Sequence, residues 1–390
     1  MPSALVASST AVQGWFVGLM SGTSLDGVDA VLLHIGPGGA ADAGGPSLQV
    51  RGHVAQPFPE PLRAELLALN TSGPDELHRA ALAANALARC YASAVQALLH
   101  NCAVPAAEVQ ALGVHGQTVR HRPQAFDGTG YTVQLNNPAL LAELTGITTV
   151  ADFRTRDVAA GGQGAPLVPA FHQAVFAQPG RSLCVLNIGG MANLSVLPAE
   201  GAVLGFDCGP GNALLDHWCQ QHQGQPFDRD GAWAAQGQVL PGLLQCLLDE
   251  PFLAAAPPKS TGRDLFHPAW LQERLAQAGA LQAAPVDVQA TLVELTAAAC
   301  AASARSYGKE SDLLLVCGGG ALNGDLMRRL AARLPGWQVQ ACTAYGLPPL
   351  QVEAAAFAWL AQRCLSHQPG NLARVTGAAG PRILGAIYPA

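Results

Sequence analysis

The amino-acid sequence predicts an α/β protein built from two related lobes, and three observations carry that expectation. Short apolar runs that end in glycine recur along the chain, and stretches with helical spacing separate them. A third pattern, strand then glycine-rich turn then strand, occurs once in each half.

Taken in order, the predicted strands cover residues 15–20, 30–35, 109–114, 147–151, 183–188, 193–197 and 313–317, each four to eight residues rich in Val, Leu and Ile. The clearest helix opens near Pro74 and Asp75. It places Leu77, Ala81, Ala84, Leu87, Tyr91, Val95 and Leu98 on one stripe, spacing that packs a helix onto a sheet. Further stripes predict helices over 138–145, 212–222, 286–307, 325–334 and 351–365, the second stopping before Gly224 and the third at Gly308. The twin hairpins span 16–35 and 183–197, with tips at Ser21-Gly-Thr-Ser-Leu-Asp-Gly27 and Gly189-Gly-Met-Ala-Asn193. Two such hairpins point to related lobes facing one cleft. Sequence identity between the halves is negligible, so the match is one of pattern. The lobe boundary is expected near residue 155, giving lobes of 1–155 and 156–390.

Composition narrows the function. In 390 residues, 49% are hydrophobic and 12% charged, and 21 basic against 27 acidic residues leave a net charge of −6, so a nucleic-acid partner is not expected. Ten cysteines include no CxxC pair, which argues against zinc ribbons and thioredoxin-like motifs and for buried thiols in a reducing compartment. The first 25 residues carry no charge, yet the first basic residue is Arg51, so a secretory signal lacks its basic start. Residues 1–13 read as a loose tail. The uncharged stretch 158–180 contains Pro166, Pro169 and His172 and does not read as a membrane span. A soluble, cytoplasmic protein is expected.

Several motifs carry chemistry. Glycine lets the main chain approach an anion and aim several N–H groups at it. The segment 18–29 has that character, with hydroxyls on Ser21, Thr23 and Ser24 and carboxylates on Asp26 and Asp29 able to hold magnesium. An ordinary hairpin loop remains an alternative reading. Gly205-Phe-Asp-Cys-Gly-Pro-Gly-Asn212 precedes a helix whose N-terminus attracts anions, and Asp207 there can serve as a general base or as a turn-forming Asp. Gly318, Gly319 and Gly320 follow an apolar strand and leave room for a flat ring. Neither GxGxxG nor GxxxxGK[ST] is present, so Rossmann and P-loop chemistry are disfavoured. Polar clusters at strand ends, His115-Gly-Gln117, Asp152-Phe-Arg154 with Asp157, and Gly161-Gly-Gln163-Gly164, read as substrate loops. Arg154 or Arg156 can take a carboxylate bidentately, and Gln117, Gln163 and Asn187 can bond hydroxyls or an amide.

Together these motifs resemble the anhydro-N-acetylmuramic acid kinase family over nearly the whole chain. The resemblance rests on Gly18–Asp29, His115-Gly-Gln-Thr118, Ala151-Asp-Phe-Arg154, the run from Asp157 to Pro169, Asn187-Ile-Gly-Gly-Met-Ala-Asn193, Gly205–Asn212, Lys259-Ser-Thr-Gly262 and Cys317-Gly-Gly-Gly320, all in the family's order. It implies the two-lobed actin/hexokinase-like (ribonuclease H-like) ATPase fold with ATP in the interlobe cleft. It further implies that ATP and water convert 1,6-anhydro-N-acetylmuramic acid to N-acetylmuramic acid 6-phosphate and ADP, in cell-wall recycling.

By family position, Asp207 is the base that activates the water. Gly22, Thr23, Ser24, Leu25, Asp26, Gly27, Val28 and Asp29 hold phosphates, with Gly189, Gly190 and Gly209 from the second lobe. Gly318, Gly319 and Gly320 lie near the adenosine. His115, Gln117, Arg154, Gln163, Asn187 and Glu353 line the sugar pocket, and Asp26 holds Mg2+. A homodimer is implied, with no membrane or nucleic-acid partner. The rival readings are a same-fold kinase for another sugar, an actin-like conformational ATPase, and a sugar-binding module without catalysis. Coupled ADP release with different sugars separates the first, and slow ATP hydrolysis without sugar marks the second. The third predicts sugar binding that never yields ADP.

Overall fold

The computed structural model describes residues 11–22, 25–38, 46–262 and 265–390. In chain order its strands are β1 (Gly14–Met20), β2 (Gly27–Gly38), β3 (Pro46–Pro57), β4 (Val109–Val114), β5 (Gln117–Pro123), β6 (Gly130–Leu135), β7 (Thr149–Ala151), β8 (Leu183–Ile188), β9 (Met191–Leu197), β10 (Leu204–Pro210), β11 (Leu313–Cys317), β12 (Gln338–Ala341) and β13 (Ala386–Tyr388). They fall into two compact units. The first joins the chain up to Val175 with Glu353–Ala390, and the second is Phe176–Val352.

The first unit's main sheet has the order β13-β7-β4-β1-β2-β3, and the second unit's has β10-β9-β8-β11-β12. In the first, β1, β2 and β3 form an antiparallel meander, and β4 and β7 follow in parallel on the other side of β1. In the second, β8, β9 and β10 form the meander, and β11 and β12 are parallel to β8. The same five-strand order and the same senses thus occur twice. That repetition is the ribonuclease H-like topology of the actin and hexokinase-like fold, and it accounts for the twin hairpins read from the sequence.

The boundary differs from the expected residue 155, because the chain's end returns to the first unit. β13 pairs antiparallel with β7, Ile387 opposite Val150. Asn371 and Thr376 donate to the fully buried carboxylate of Asp157 at 2.6 and 2.7 Å, so the segment after 155 belongs with the first sheet. The reading of residues 1–13 as a loose tail is also corrected at its end. The Val12 N–H donates to Ser366 Oγ at 2.9 Å, and Gln362 donates to the Val12 carbonyl at 3.1 Å. Residues 1–10 lie outside the described residues.

Most predicted elements fall within a few residues of the observed ones. The long helix is Glu76–Cys102, but its stripe faces the core only from Ala84 onward; Leu77 is 90% exposed. The segment 205–210, read only as leading through a turn into the helix near Asn212, is the edge strand β10, where Pro210 at the strand's end breaks no interior ladder.

One close approach organises the first unit. Gly18 on β1 and Gly113 on β4 lie opposite each other in register. A β-carbon on Gly18 would run into the Ala354 carbonyl, and one on Gly113 into the Phe357 carbonyl. The helix Val352–Leu365 therefore lies with its backbone against the sheet, its buried alanines at 354, 355, 356, 358 and 361 continuing that close contact. This seats Glu353, in the helix's first turn, in the unit that carries the polar strand-end clusters. Gly113→Val should destabilise the fold by about 3 kcal/mol or more, since the clash is with backbone. Gly242→Ala, in open space near the start of a helix, should be neutral or stabilising by up to about 1 kcal/mol. Thermal unfolding of the two variants checks the contrast.

Candidate active site

In the first unit, β1 and β4 deliver their polar ends to one edge of the sheet. Both Nε and Nη2 of Arg154 donate to His115 Nε2, at 3.1 and 2.9 Å, and Nη1 donates to the Gly164 carbonyl at 2.7 Å. Nε2 is therefore an acceptor, and the ring proton sits on Nδ1. Burial, then the Arg154 charge, pushes the His115 pKa down to about 3, so the ring is neutral at any physiological pH. Burial also brings Arg154 down to about 10, opposed by Glu353 and then Asp157; the guanidinium stays charged. Two of its five N–H groups remain for another acceptor.

The loop that receives Arg154 is itself pinned. Asp157 Oδ2 accepts the Gly164 N–H at 2.8 Å, and the Gln163 N–H donates to the Thr376 carbonyl at 2.7 Å. Gln163 thus holds its loop through its backbone and keeps a half-exposed side chain. Gln117 Nε2 donates to the Gly22 carbonyl at 3.1 Å, joining the first hairpin to β5. Ser21 shares a 2.7 Å hydrogen bond with the buried Tyr91 hydroxyl.

The first hairpin divides the residues expected to hold phosphate. Gly22, Leu25, Gly27 and Val28 form its tip and the start of β2, with Leu25 in the left-handed region at φ 59°. Leu25 and Val28 are buried in the core; Asp26 is exposed. Asp29 Oδ1 accepts a hydrogen bond from His53 Nε2 at 2.9 Å, so this carboxylate is held by β3. Thr23 and Ser24 lie outside the described residues.

In the second unit, Asp207 sits on β10. Its N–H donates to the Lys259 carbonyl at 3.1 Å, and its Oδ2 accepts the Thr261 N–H at 2.9 Å. Protein atoms crowd the carboxylate although the residue keeps some solvent contact, and this burial raises its pKa to about 6 against the Thr261 N–H and the Lys259 charge, which both lower it. The structure corrects the reading of the adjacent helix N-terminus. The N–H groups of Gly211 and Ala213 donate to the Gly190 carbonyl and that of Asn212 to the Gly189 carbonyl, at 3.0, 3.1 and 2.8 Å. Those amides are occupied by the second hairpin and do not point at an anion. Gly209 is buried, and a β-carbon there would press on Leu253 at 2.7 Å, so its backbone freedom serves packing.

Gly189 and Gly190, by contrast, have nothing nearer than 3.8 Å where a β-carbon would stand, and their tip is open to a ligand. Gly318, at φ 77°, donates its N–H to the Pro349 carbonyl at 3.0 Å. A β-carbon on it would meet Asn187 Oδ1 at 2.5 Å, which places the buried Asn187 against the glycine run. Gly319 stays partly exposed beside Asn212, while Gly320 packs on Ile188.

A protein-family model described as anhydro-N-acetylmuramic acid kinase matches residues 14–390. The chain belongs to the anhydro-N-acetylmuramic acid kinase family. Relatives of that name include one from Variovorax paradoxus, 66% identical over 96% of this chain and 99% of its own length. Another, from Albidiferax ferrireducens, is 60% identical over the same shares. Among solved structures the likeness is looser. A Clostridium difficile activator of 2-hydroxyisocaproyl-CoA dehydratase is 11% identical over 89% of this chain and 94% of its own, at a TM-score of 0.43. The strand order of the two sheets carries the fold without it.

The sequence reading singled out Asp157 and the Lys259–Gly262 motif but not what they hold, and it passed over Asn136. Asp157 is a buried hub for three donors, the Gly164 N–H, the Asn371 side-chain amide and the Thr376 hydroxyl, and only its spacing from the Gly-Gly-Gln-Gly run signalled it. Asn136 buries both carboxamide atoms without a hydrogen-bond partner, as Gln117 does its Oε1; nothing in the Asn136-Asn137-Pro138 sequence distinguishes it from a helix cap. Lys259 and Thr261 contact Asp207 from 52 and 54 residues away, a separation no local pattern reveals.

The raised Asp207 pKa makes a stability prediction. The folded state binds this proton more tightly than the unfolded chain does, so ionised Asp207 opposes folding above about pH 6 and not below about pH 4. Asp207→Asn should therefore be more stable than the parent at pH 8, by an amount on the order of 1 to 3 kcal/mol, and the two should converge near pH 4. Melting curves across that range test the sign.

Proposed function

We propose that this enzyme uses Asp207 as the single general base of the anhydro-N-acetylmuramic acid kinase reaction. The protein is a kinase that uses ATP and water to open the 1,6-anhydro bridge and phosphorylate O6, giving N-acetylmuramic acid 6-phosphate and ADP, a reaction of peptidoglycan recycling. The observation that supports Asp207 is its carboxylate: one oxygen fixed by the Thr261 N–H, the residue still reached by solvent, and a pKa of about 6 that matches a base working near neutrality.

In this mechanism water attacks C1 and gives a proton to Asp207. The C1–O6 bond breaks with its electron pair on O6, and O6 bonds to the γ-phosphorus as the bond to ADP breaks. Configuration at C1 inverts. The phosphoryl group takes the place of the acid that would otherwise protonate the leaving oxygen, so one carboxylate is enough. Phosphoryl transfer needs mainly position and charge neutralisation. The open backbone of Gly189 and Gly190, the exposed edge of Gly319 and the Gly22–Asp29 hairpin are suited to holding nucleotide in their respective units.

For Mg2+, no group of three His, Cys, Asp or Glu side chains gathers among the described residues. An exposed Asp26 on a phosphate hairpin fits an ion held by one carboxylate, phosphates and water. When bound, that ion neutralises phosphate charge. In the sugar pocket, Arg154 offers its two remaining N–H groups to the lactyl carboxylate, with His115 and Glu353 fixing the guanidinium. Gln117 Oε1 and the Asn136 carboxamide supply polar contacts to the ring substituents, alongside Gln163. A cytoplasmic homodimer completes the proposal; its ten cysteines are all free thiols, in keeping with a reducing compartment.

Asp207→Asn should lower turnover by about 100-fold to 10,000-fold with nucleotide affinity unchanged, and kcat/KM of the parent should fall tenfold per pH unit below about pH 6, where the base is protonated. In ¹⁸O-labelled water the product should carry label at C1 and none in the phosphoryl group. Label in released inorganic phosphate, with none at C1, would mean ATP hydrolysis uncoupled from opening of the bridge. Arg154→Lys should raise KM for the sugar about tenfold, and the increase should vanish with a substrate lacking the lactyl group.

A further inference from the structure

Apart from the Thr261 N–H, the Lys259-Ser-Thr-Gly262 motif has no task in the mechanism above, yet it touches the base from two sides. Its main chain runs beside β10, with the Lys259 carbonyl accepting the Asp207 N–H and the Thr261 N–H reaching Asp207 Oδ2. The side chain of Lys259 turns the other way. Nζ donates to the carbonyls of Phe252 and Leu253 at 3.0 and 3.1 Å, near the end of the short helix Pro251–Ala254, and lies 4.8 Å over the Phe252 ring. A second ring, Phe206 on β10, is 5.9 Å from Nζ. An ammonium that satisfies two helix-end carbonyls and two aromatic faces is held in place without forming an ion pair.

We infer that Lys259 is a positioning residue for Asp207: its anchored side chain fixes the segment that presents the Thr261 N–H, and its charge favours the ionised carboxylate. This deepens the reading of Asp207 as the base and rests on it. The two functions are separable by chemistry. Anchoring needs a donor of about the right length, whereas electrostatic support needs a positive charge. Among the described residues, Lys259 is the charged side chain that bears on the carboxylate. The buried thiol of Cys208, on β10, is hydrogen-bonded to that of Cys300 and bears on Lys259. The charge of Asp207 in turn favours the protonated Lys259, whose own pKa is lowered first by burial.

The test is the pH profile of kcat/KM for the full-length enzyme and for Lys259→Gln, Lys259→Met and Lys259→Arg. Gln keeps a donor without charge, Met keeps the stem over Phe252, and Arg keeps the charge. The acid limb should move up by about half a pH unit or more in the Gln and Met variants, roughly a twofold loss at pH 6 and about threefold at pH 5, and return to the parental position in Lys259→Arg. KM for ATP should not change. An acid limb that coincides with the parent's in the neutral variants overturns the electrostatic role. Failure of both neutral variants to fold, with Lys259→Arg folded, would assign the residue to stability and also overturn the inference. Asp207→Asn is measured alongside. Full activity there defeats the base itself, whereas an inactive Asp207→Asn with unmoved Lys259 profiles defeats only the role of Lys259.

Discussion

The balance of forces on one carboxylate is the constraint on which the rest of the account depends. Asp207 is crowded by protein, which opposes its charge, and that opposition is limited by the Thr261 N–H and by the nearby ammonium of Lys259. Remove the burial and the carboxylate becomes an ordinary weak base. Remove the Thr261 N–H and the ammonium and its proton is held more tightly still. The backbone pairing of Asp207 with Lys259 makes this balance a property of the β10 edge, since an edge strand has a free side on which another segment can add hydrogen bonds.

A similar economy of backbone governs the first unit. Because Gly18 and Gly113 stand side by side, the helix Val352–Leu365 can rest directly on two central strands. The same strand ends lead into Ser21 and His115, so the packing that orders the core also orders the polar edge. His115 illustrates how a buried histidine can function without titrating. Held neutral, it offers Arg154 an acceptor that no nearby pH change would remove, and Asp157 holds the loop carrying Gly164 that completes the clamp.

The repeated hairpin and the helical stripes were legible because both are local: a period of two or 3.6 residues and a glycine turn occupy one window of sequence. The β10 strand was not, since Gly205, Gly209 and Pro210 carry turn chemistry and only its position at a sheet edge tolerates them. Nor did the sequence reveal that the chain's end returns to the first unit, because β13 is three residues long and its partner lies more than 200 positions away. At the site, Asp207 and Arg154 stood out through their neighbours. The amides of Gly211, Asn212 and Ala213 misled for a physical reason: a helix N-terminus attracts any acceptor, and here the carbonyls of Gly189 and Gly190 reach it first.

The account turns on the second oxygen of that carboxylate, because Oδ2 already accepts the Thr261 N–H. A crystal structure of the enzyme with a non-hydrolysable ATP analogue and the anhydro sugar bound measures it most directly. The prediction is that Asp207 Oδ1 lies about 3 Å from a water positioned opposite the C1–O6 bond. A carboxylate turned from the sugar, with another side chain contacting that water, would contradict it.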